Sequence, residues 1–555
     1  MLFPQAQATS VRRRDNGFWR EGEFRVSTRS IGSDAESGLR EDPAEPAPIA
    51  ARTRWLHGAR AHLRVLEGGR AKPVSLPLTN PATPSAPDPV MVGTQKLFAV
   101  LLLIVGALGF AFAPLRAAAT INAVLTVFFA AANVFKLMLV RRSLEQPCAI
   151  TASRAEVASL RAARLPVFTI LVPVYRESAV LRQLVGGIAA LDYPEDRLDV
   201  KVLLEEDDDE TRGALEGITL PPYIEVLTVP DIGPKGKPRA CNHGLTEARG
   251  KYLVIYDAED RPEPDQLRKV VVAFTKTGDA VVCLQAHLNY FNRTQNLLTR
   301  WFSAEYSNWF DQLLTGLQSY DLPIPLGGTS NHFVTARLRE LGGWNAYNVT
   351  EDADLGMRIF RRGWKTAVVT STTYEEANSR TLNWIRQRSR WAKGYMQTYL
   401  CHMRRPVQLY RELGLRAFVA FQLFFGGQTL CLLLNPFYWL ITVLWFATRA
   451  HIIEIAFPTL TADVGVVGFF MGNAAFVLST IAGCVGRRHY DDVKRVLVVP
   501  FYWLLMSVAA WKGLLQLFFK PYYWEKTTHG FSMFDAAAAQ GHELREASGT
   551  LREAG

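Results

Sequence analysis

The sequence has few cysteines and none of the spacings that bind metals. Its six cysteines lie far apart in a chain of 555 residues, and no two of them form a CxxC pair. A disulfide framework or a zinc site needs cysteines at close, regular spacings. The pattern therefore indicates small apolar side chains in a reducing compartment, and neither of those two kinds of site.

The sequence also lacks arginine-rich arms interleaved with aromatic residues. Lys and Arg number 62 and Asp and Glu number 52, so the formal net charge is +10, which is mild for this length. Such a balance suits nucleic acid, anionic lipid or anionic substrates about equally. Because basic arms are absent, we do not expect a nucleic-acid partner.

What the sequence does contain is several long apolar runs. Leu97–Leu115 carries no charge, and Ala118–Val140 has one lysine near its end, where the side chain can reach the interface. Leu415–Ala447, Val464–Val485 and Val496–Phe519 follow. Uncharged runs of this length are rare outside membranes, so transmembrane helices are favoured over the buried helices of a soluble core.

These runs divide the chain. The first 96 residues are rich in Arg, Ser and Pro, which indicates disorder. Asn435–Pro436 interrupts the longest run, which predicts two spans joined by a tight turn and six spans in total. The predicted organisation is a disordered tail and linker (1–96), two transmembrane helices (97–140), an α/β domain (141–400), an interfacial segment (401–414), four transmembrane helices (415–519) and a cytosolic tail (520–555).

The basic residues between the spans do not all fit this count. Arg141 and Arg142 follow the second span, so the positive-inside rule makes the α/β domain cytoplasmic. Six spans also return Lys520 and Lys526 to the cytoplasm, but they place the basic segment 487–495 outside. Counting 415–447 as one span instead places segment 487–495 in the cytoplasm but leaves Lys520 and Lys526 outside.

Between the two sets of spans, short β-branched runs alternate with helical patterns such as "SAVLRQLVGGIAAL" and "PDQLRKVVVAFTKTG". This alternation predicts a parallel α/β sheet, in which ligands bind at the carboxyl ends of the strands. Acids follow two of these runs, at Glu205–Glu206 and Asp257–Asp260. The five predicted strands are "PVFTILVPVY", "LDVKVLLEE", "YIEVLTV", "KYLVIYDAED" and "AVVCLQAHL".

Two loops carry opposite charge. In "YDAEDRPEP", Asp257, Glu259 and Asp260 could hold a divalent cation that bridges to substrate phosphates, and an ordinary acidic turn is the alternative. In "PDIGPKGKPRACNHGL", Lys235 and Lys237 precede a predicted helix. Phosphate could bind there, and a solvated basic loop is the alternative.

Two helical segments carry further candidates. "VTEDADLGMRIFRRGW" places Glu351 and Asp352 at a helix start, where acids either cap the helix or supply a catalytic base. In "RQRSRWAKGYMQ", Gln387, Arg390 and Trp391 fall on one helix face. An arginine and a tryptophan on one face can contact phosphate and a sugar ring, and the same helix can lie on a membrane surface.

Together, "PVYRE", "LLEEDDDET", "KPRACNHGL", "DAED", "TED" and "QRSRW" resemble, in this order, the family 2 glycosyltransferases with membrane spans, the group of cellulose, chitin and hyaluronan synthases. The resemblance covers residues 140–520. It implies a GT-A fold, a Rossmann-like nucleotide-sugar-binding α/β domain in the cytosol between transmembrane helices. It further implies a divalent cation, Mg²⁺ or Mn²⁺, and an inverting transfer that makes a β-linkage.

The resemblance also implies residue roles. Asp352 matches the general base, with Glu351 orienting the site and Asp354 capping the helix. Asp257 and Glu259 match the DxD metal motif, although the second Asp is a Glu here and Asp260 is an alternative ligand. The implied substrate-binding residues near the nucleotide base are Pro173, Tyr175, Glu177 and Glu205, the last at a position where the family usually has Asp. Lys237 and Asp257 are implied near the diphosphate, and Gln387, Arg390 and Trp391 match the QxxRW motif. Segment 327–333 matches the acceptor site.

The function these motifs predict is a processive synthase of the inner membrane. It would use a UDP-hexose or UDP-N-acetylhexosamine to extend a β-linked polysaccharide and move it across the bilayer. Its partners would be the nucleotide sugar, the growing glycan, the lipid bilayer and export subunits. A non-processive transferase acting on a membrane lipid is the alternative. A receptor with an inactive fold is a third possibility, against which the intact motifs argue.

Overall fold

The computed structural model describes residues 89–457 and 459–526 of the chain. Most of the predicted tails, 1–96 and 520–555, therefore lies outside the described residues. The described part contains a sheet domain that is preceded and followed by long apolar helices.

An eight-stranded sheet forms the centre of the domain. Its main strands are runs of buried apolar and β-branched residues, a composition typical of strands covered on both faces. Each of the five predicted runs contains a strand. The strands are β1 (Phe168–Val174), β2 (Leu198–Glu205), β3 (Ile224–Val229), β4 (Tyr252–Ile255), β5 (Arg261–Pro262), β6 (Val281–Tyr290), β7 (Asn331–Val334) and β8 (Lys365–Glu375).

The sheet is mixed, with strand order β3-β2-β1-β4-β7-β6-β8-β5. β3, β2, β1 and β4 are parallel neighbours, as predicted. β7 is antiparallel to both β4 and β6, so the prediction of a wholly parallel sheet is wrong. β7 is four residues long and lies in the polar segment 327–334, which contains no apolar run to indicate a strand.

Helices connect these strands and pack on the sheet. The parallel strands are joined by helices, as crossover connections require. The helices of the domain are α3 (Arg154–Ser159), α4 (Leu181–Ala189), α5 (Asp209–Glu216), α6 (Lys237–Glu247), α7 (Gln266–Lys276), α8 (Leu297–Asn308), α9 (Leu314–Ser319), α10 (Thr335–Leu341), α11 (Glu351–Arg361) and α12 (Thr381–His402).

The remaining helices flank the domain in sequence. They are α1 (Gly93–Phe112), α2 (Pro114–Glu145), α13 (Pro406–Phe421), α14 (Gly427–Thr448), α15 (His451–Ala456), α16 (Thr459–Gly486), α17 (Val493–Val496) and α18 (Val499–Phe519). Among the described residues, five helical segments are long and apolar enough to cross a membrane: Gly93–Phe112, Pro114–Glu145, Pro406–Thr448, Asp463–Gly486 and Val499–Phe519.

The predicted turn at Asn435–Pro436 is wrong. α14 continues through Pro436, and helices of membrane proteins tolerate proline because neighbouring groups satisfy the freed carbonyl. The backbone departs from helical geometry at Gly414 instead, where φ is 71° and ψ is 169°. The described residues after the domain therefore hold three membrane-length segments where four were predicted.

Candidate active site

One cavity of about 480 Å³ lies at the carboxyl ends of β1, β2 and β4. Twelve residues to which the sequence assigned a role in catalysis, substrate binding or metal binding line it, whereas the alternative ligand Asp260 and the end of segment 327–333 do not. The structure therefore brings these twelve residues together, and their roles remain predictions. These residues are Pro173, Tyr175, Glu177, Glu205, Lys237, Asp257, Glu259, Glu351, Asp352, Gln387, Arg390 and Trp391.

The cavity has two ends. The sheet end is lined by Tyr175, Glu205, Lys237 and Asp257, which follow strands or begin α6. The helix end is lined by residues of α12, of α14 and of α18 and by the π-helical segment that follows α8. Glu351 and Asp352 lie in the same cavity, so both ends meet the acids of α11.

At the sheet end, the basic loop is neutralised by neighbouring acids. Lys235 pairs with Asp207 at 2.6 Å, and the buried guanidinium of Arg239 pairs with Glu205. Burial raises the pKa of Glu205 to about 7, although Arg239 acts in the opposite direction. The structure thus adds Arg239 as the side chain that holds Glu205 in place.

Lys237 is the first residue of α6 and reaches across the sheet end. Its ammonium pairs with the carboxylate of Asp257 and donates a hydrogen bond to the carbonyl of Gly328 at 2.7 Å. Burial favours the neutral amine, but the negative charge of Asp257 raises the pKa of Lys237 above its usual value. A permanent cation therefore stands beside the acidic loop after β4.

The acidic loop after β4 and the end of β8 bring several carboxyl groups close together. Glu259 lines the cavity, whereas Asp260 is buried and accepts the backbone N–H of Asp257 at 2.8 Å. Glu375, at the end of β8, also lines the cavity, and its buried Oε1 has no hydrogen-bond partner. Burial and the charges of Asp260, Asp257 and Glu259 raise the pKa of Glu375 well above its ordinary value.

This chemistry fits a hard divalent cation. Within 89–457 and 459–526, no group of three or more His, Cys, Asp or Glu side chains is arranged to hold a metal by itself. A cation at Asp257 and Glu259 would thus need oxygen ligands from phosphate and water, as Mg²⁺ commonly takes. Of the two second ligands left open, Glu259 faces the cavity and Asp260 does not line it.

Glu351 and Asp352 begin α11 inside the cavity. The backbone N–H of Ala353 donates to Oδ1 of Asp352 at 2.8 Å, which fixes this carboxylate at the helix start. Burial raises the pKa of both acids, and repulsion from Asp352 adds to the rise for Glu351. Lys237 and Arg390 oppose this rise for both acids.

The predicted cap at Asp354 is wrong. Thr350 precedes α11 without a side-chain cap, and Asp354 is buried on the other side of the helix. Its carboxylate pairs with Arg358 at 2.9 Å and with His402 at 3.0 Å. Despite burial, these partners lower the pKa of Asp354 to about 2. Asp354 therefore joins α11 to α12.

The QxxRW residues lie on α12 at the helix end, with all three side chains toward the cavity. Oε1 of Gln387 accepts a hydrogen bond from Asn378 at 2.9 Å. The guanidinium of Arg390 lies 4.1 Å from the ring centroid of Trp524. The ring of Trp391 stacks on Tyr306 at 6.2 Å with an interplanar angle of 29°.

Sequence reasoning missed most of the helix end. Most of the missed residues are aromatic or aliphatic, and their spacing resembles that of an ordinary core or a membrane helix; the others are polar or charged. Trp524 and Lys526 lie in the segment that was predicted to be a cytosolic tail, and of segment 327–333 only the first three residues line the cavity. The missed lining residues include Tyr306, Trp309, Phe310, Glu375, Tyr395, Gln428, Thr429, Leu432, Met506, Trp524 and Lys526.

Comparison with known proteins assigns this domain. Residues 166–394 match the family described as "Glycosyltransferase like family 2". This segment, which is less than half of the chain, resembles a family 2 glycosyltransferase domain. The chain is a glycosyltransferase, and its mixed α/β sheet is GT-A-like. The match spans β1 to the middle of α12, so it includes every predicted site residue.

Relatives of this glycosyltransferase are named for two kinds of product, a glycolipid and a polysaccharide. Over 391 residues it is 26% identical to a Synechocystis protein named β-monoglucosyldiacylglycerol synthase, covering 67% of this chain and 76% of that protein. Over 250 residues it is 28% identical to glucomannan 4-β-mannosyltransferase 2 of Arabidopsis thaliana, covering 42% of this chain and 45% of that protein. Among solved structures, the mannosyltransferase PcManGT from Pyrobaculum calidifontis with GDP-Man and Mn²⁺ matches with 19% identity and a TM-score of 0.45, over 73% of this chain and 99% of that one.

Proposed function

We propose that this glycosyltransferase moves a hexosyl or N-acetylhexosaminyl group from a UDP sugar to the end of a growing β-linked glycan, with inversion. One observation supports this most strongly. A single cavity runs from the sheet end, past Asp352, to side chains of the membrane-length helix α14. A donor at one end and an acceptor at the other would meet at the proposed base.

In this proposal Asp352 is the general base. The acceptor hydroxyl attacks the anomeric carbon while its proton passes to the carboxylate of Asp352. The bond from that carbon to the diphosphate oxygen breaks, and the diphosphate leaves with the electron pair. The raised pKa of Asp352 makes it a stronger base than an exposed aspartate, which favours proton transfer near neutral pH.

The sheet end would balance the charge of the leaving diphosphate. Lys237 is already held in the cavity by Asp257, and Arg390 interacts electrostatically with Asp257 and Asp352 from α12. Mg²⁺ or Mn²⁺ held by Asp257 and Glu259 would add positive charge beside the phosphates. Tyr175 and Glu205 would then border the nucleotide base.

The helix end supports a sugar acceptor. Rings of Tyr306, Trp309, Trp391 and Tyr395 line it, and flat aromatic faces suit the apolar faces of sugar rings. Beyond them, α14 contributes polar groups that could pair with hydroxyls. This arrangement supports extension of a glycan that enters the membrane between helices of a multi-pass inner-membrane protein with a cytoplasmic catalytic domain.

A lipid acceptor is the second candidate. Leu432 and Met506 give the far part of the helix end an apolar wall, which a lipid chain could contact. The resemblance to the Synechocystis protein, named for a diacylglycerol product, agrees with this possibility. Both candidates share the same donor chemistry and differ in the size and solubility of the product.

A product assay tests the proposal. The purified enzyme in nanodiscs would receive Mg²⁺ or Mn²⁺ and a panel of radiolabelled nucleotide sugars, with Asp352→Asn as the control. We expect label from one sugar in high-molecular-weight material, lost in the variant. Label in a small, lipid-soluble product would favour the second candidate, and label that survives Asp352→Asn would contradict the proposed mechanism.

A further inference from the structure

We propose that Asp311 is a positioning residue, which holds the aromatic wall of the helix end in place through an ion pair with Arg487. This inference rests on the proposed function, in which the acceptor binds at the helix end. Asp311 lies in the π-helical segment Trp309–Leu313 that follows α8. It does not line the cavity, and neither does Arg487, which directly follows the membrane-length helix α16.

One side of the π-helical segment forms part of the cavity wall. Trp309 and Phe310 line the cavity next to Tyr306 of α8, and the rings of Phe310 and Tyr306 lie 5.3 Å apart. Gly327 packs so closely on Phe310 that an added Cβ would lie 2.9 Å from Cζ of that ring. The ring of Trp309 lies 6.3 Å from that of Tyr395 on α12. The segment therefore joins three separate parts of the wall.

The backbone of this segment departs from the α-helix. The N–H of Leu314 donates to the carbonyl of Trp309, five residues earlier, whereas an α-helix joins residues four apart. π-Helical turns are rare, and they occur frequently at functional sites. Contacts that fix this turn also fix the direction in which Trp309 and Phe310 point. The side chain of Asp311 supplies such contacts.

The carboxylate of Asp311 has two partners outside the segment. Arg487 donates to both of its oxygens, with Nε 2.5 Å from Oδ2 and Nη2 2.7 Å from Oδ1. Nδ1 of His287, on β6, lies 2.5 Å from the same Oδ1. A bidentate pair of arginine and carboxylate is both strong and directional. The carboxylate therefore ties the π-helical segment to the sheet and to the end of α16.

Burial strengthens this contact. The side chains of His287 and Asp311 are 11% and 19% exposed, and that of Arg487 is 12% exposed. Burial acts to raise the pKa of Asp311, but the charge of Arg487 and the contact with His287 lower it to about 2. Asp311 is thus ionised at neutral pH. Removing either charge of the pair would leave the other one buried without its partner.

α16 is held at this point, so it can act as a support. Gly483, one turn before Arg487, packs so closely on α8 that an added Cβ would lie 2.9 Å from the carbonyl carbon of Ser307. Since Ser307 precedes Asp311 by four residues, the close packing and the ion pair are neighbouring contacts between the same elements. The basic segment 487–495, which the count of six spans placed outside, thus begins with a contact to the catalytic domain.

A second group of ion pairs joins the same elements away from the cavity. Asp492 follows α16 and accepts from Arg300 of α8 at 2.5 Å and from Arg293 at 2.6 Å. Its side chain is 2% exposed, and none of these three residues lines the cavity. Asp492→Asn and Asp311→Asn therefore remove the same charge from one junction, but only Asp311 lies in the π-helical segment. Asp492→Asn is the matched control.

Steady-state kinetics separate positioning from stability. Each variant would be assayed in nanodiscs with the donor found in the product assay and with two acceptor probes, an oligosaccharide of the donor sugar and diacylglycerol. For Asp311→Asn and for Arg487→Gln we expect kcat/KM for the acceptor to fall about 10- to 10²-fold, as a misplaced binding wall would cause, with KM for the donor near that of wild type. The double variant should resemble either single one, because both remove the same contact.

The control decides whether the effect is specific. Asp492→Asn should lower the melting temperature while kcat/KM for the acceptor stays near that of wild type. An equal loss of acceptor kcat/KM in Asp492→Asn and Asp311→Asn would overturn the proposal, because both groups of ion pairs would then act through folding alone. An unchanged acceptor kcat/KM in Asp311→Asn would also overturn it.

A spectroscopic measurement needs no acceptor. The enzyme would be labelled with fluorotryptophan in detergent micelles, and the fluorine NMR resonance of Trp309 assigned by its loss in Trp309→Phe. We expect this resonance to shift and broaden in Asp311→Asn and to match wild type in Asp492→Asn. An unchanged resonance in Asp311→Asn would overturn the proposal. If neither probe accepts label, the proposed function fails, whereas this measurement still decides the role of Asp311.

Discussion

The two ends of the cavity are built in different ways. The sheet end takes its charged side chains from loops that directly follow parallel strands, as at Glu205 and Asp257. The helix end collects aromatic and aliphatic side chains from four segments that are far apart in sequence. Charge at strand ends is a local signal in a sequence, whereas an apolar wall emerges only when distant helices pack.

Asp352 stands where the two ends meet, and the contrast on its own helix is informative. Asp352 faces the cavity with a raised pKa, while Asp354, two residues later, is buried between Arg358 and His402 with a lowered pKa. Two acids of α11 therefore have different surroundings, and we propose that Asp352 serves chemistry while Asp354 serves packing. Substitutions at these two positions should separate transfer from folding.

The largest effect is expected for Asp352→Asn. Loss of the proposed base should lower the rate of sugar transfer by about 10²- to 10⁴-fold, the range typical of general base catalysis. The melting temperature should change little, because asparagine can still accept the N–H of Ala353. Initial rates with saturating donor check this. A variant within tenfold of wild type would show that another group takes the proton.

Asp354→Ala should act on stability instead. It leaves the half-buried guanidinium of Arg358 without its carboxylate partner, and removing one side of a buried ion pair typically costs about 3–5 kcal/mol. We expect a clearly lower melting temperature in detergent, with near-normal activity per folded molecule at low temperature. Wild-type stability together with lost transfer would place Asp354 in the chemistry and break the contrast.

The ends of the cavity should be separable by Tyr175→Ala and Trp391→Ala. Removing the ring at the sheet end should weaken nucleotide binding about tenfold, the effect of about 1.4 kcal/mol. Removing the ring at the helix end should lower transfer by a similar factor, because an acceptor loses a stacking surface. Titration calorimetry with the nucleoside diphosphate distinguishes them. Equal loss of nucleotide affinity in both variants would mean that the two ends are not distinct.

The smallest expected effect is a shift in the pH dependence of kcat/KM. Transfer needs the ionised form of Asp352, so kcat/KM should fall as pH drops through the pKa of that group. Because burial raises this pKa, half of the activity should be lost at a pH above the ordinary aspartate value of about 3.9. A profile of kcat/KM against pH checks this. An acid limb centred near 4 would indicate a solvent-exposed base.

The sequence predicted the parallel half of the sheet, because "PVFTILVPVY" and similar runs combine β-branched residues with flanking helical patterns. It also predicted Glu205, Lys237 and Asp257, which line the sheet end, but it missed Glu375 at the end of β8. It did not predict β7, which is short and polar, or the helix through Pro436, where the membrane environment outweighs the usual effect of proline. Nor did it predict that Arg239 pairs with Glu205, since a sequence does not show which acid a basic side chain faces.

The helix end could not be predicted for a physical reason. Trp309, Leu432 and Met506 have the spacing of buried or lipid-facing positions, and they become cavity walls only through the packing of α14 and α18 on α12.

The most direct test of one cavity serving donor and acceptor is a cryo-EM map of the Asp352→Asn enzyme in nanodiscs with a nucleotide sugar and an acceptor. We predict density for the nucleotide between Tyr175 and Lys237, and density for the acceptor beside Trp391. The attacking hydroxyl of the acceptor should lie next to the side chain of residue 352. Acceptor density that approaches the donor from any other side of the domain would contradict the account.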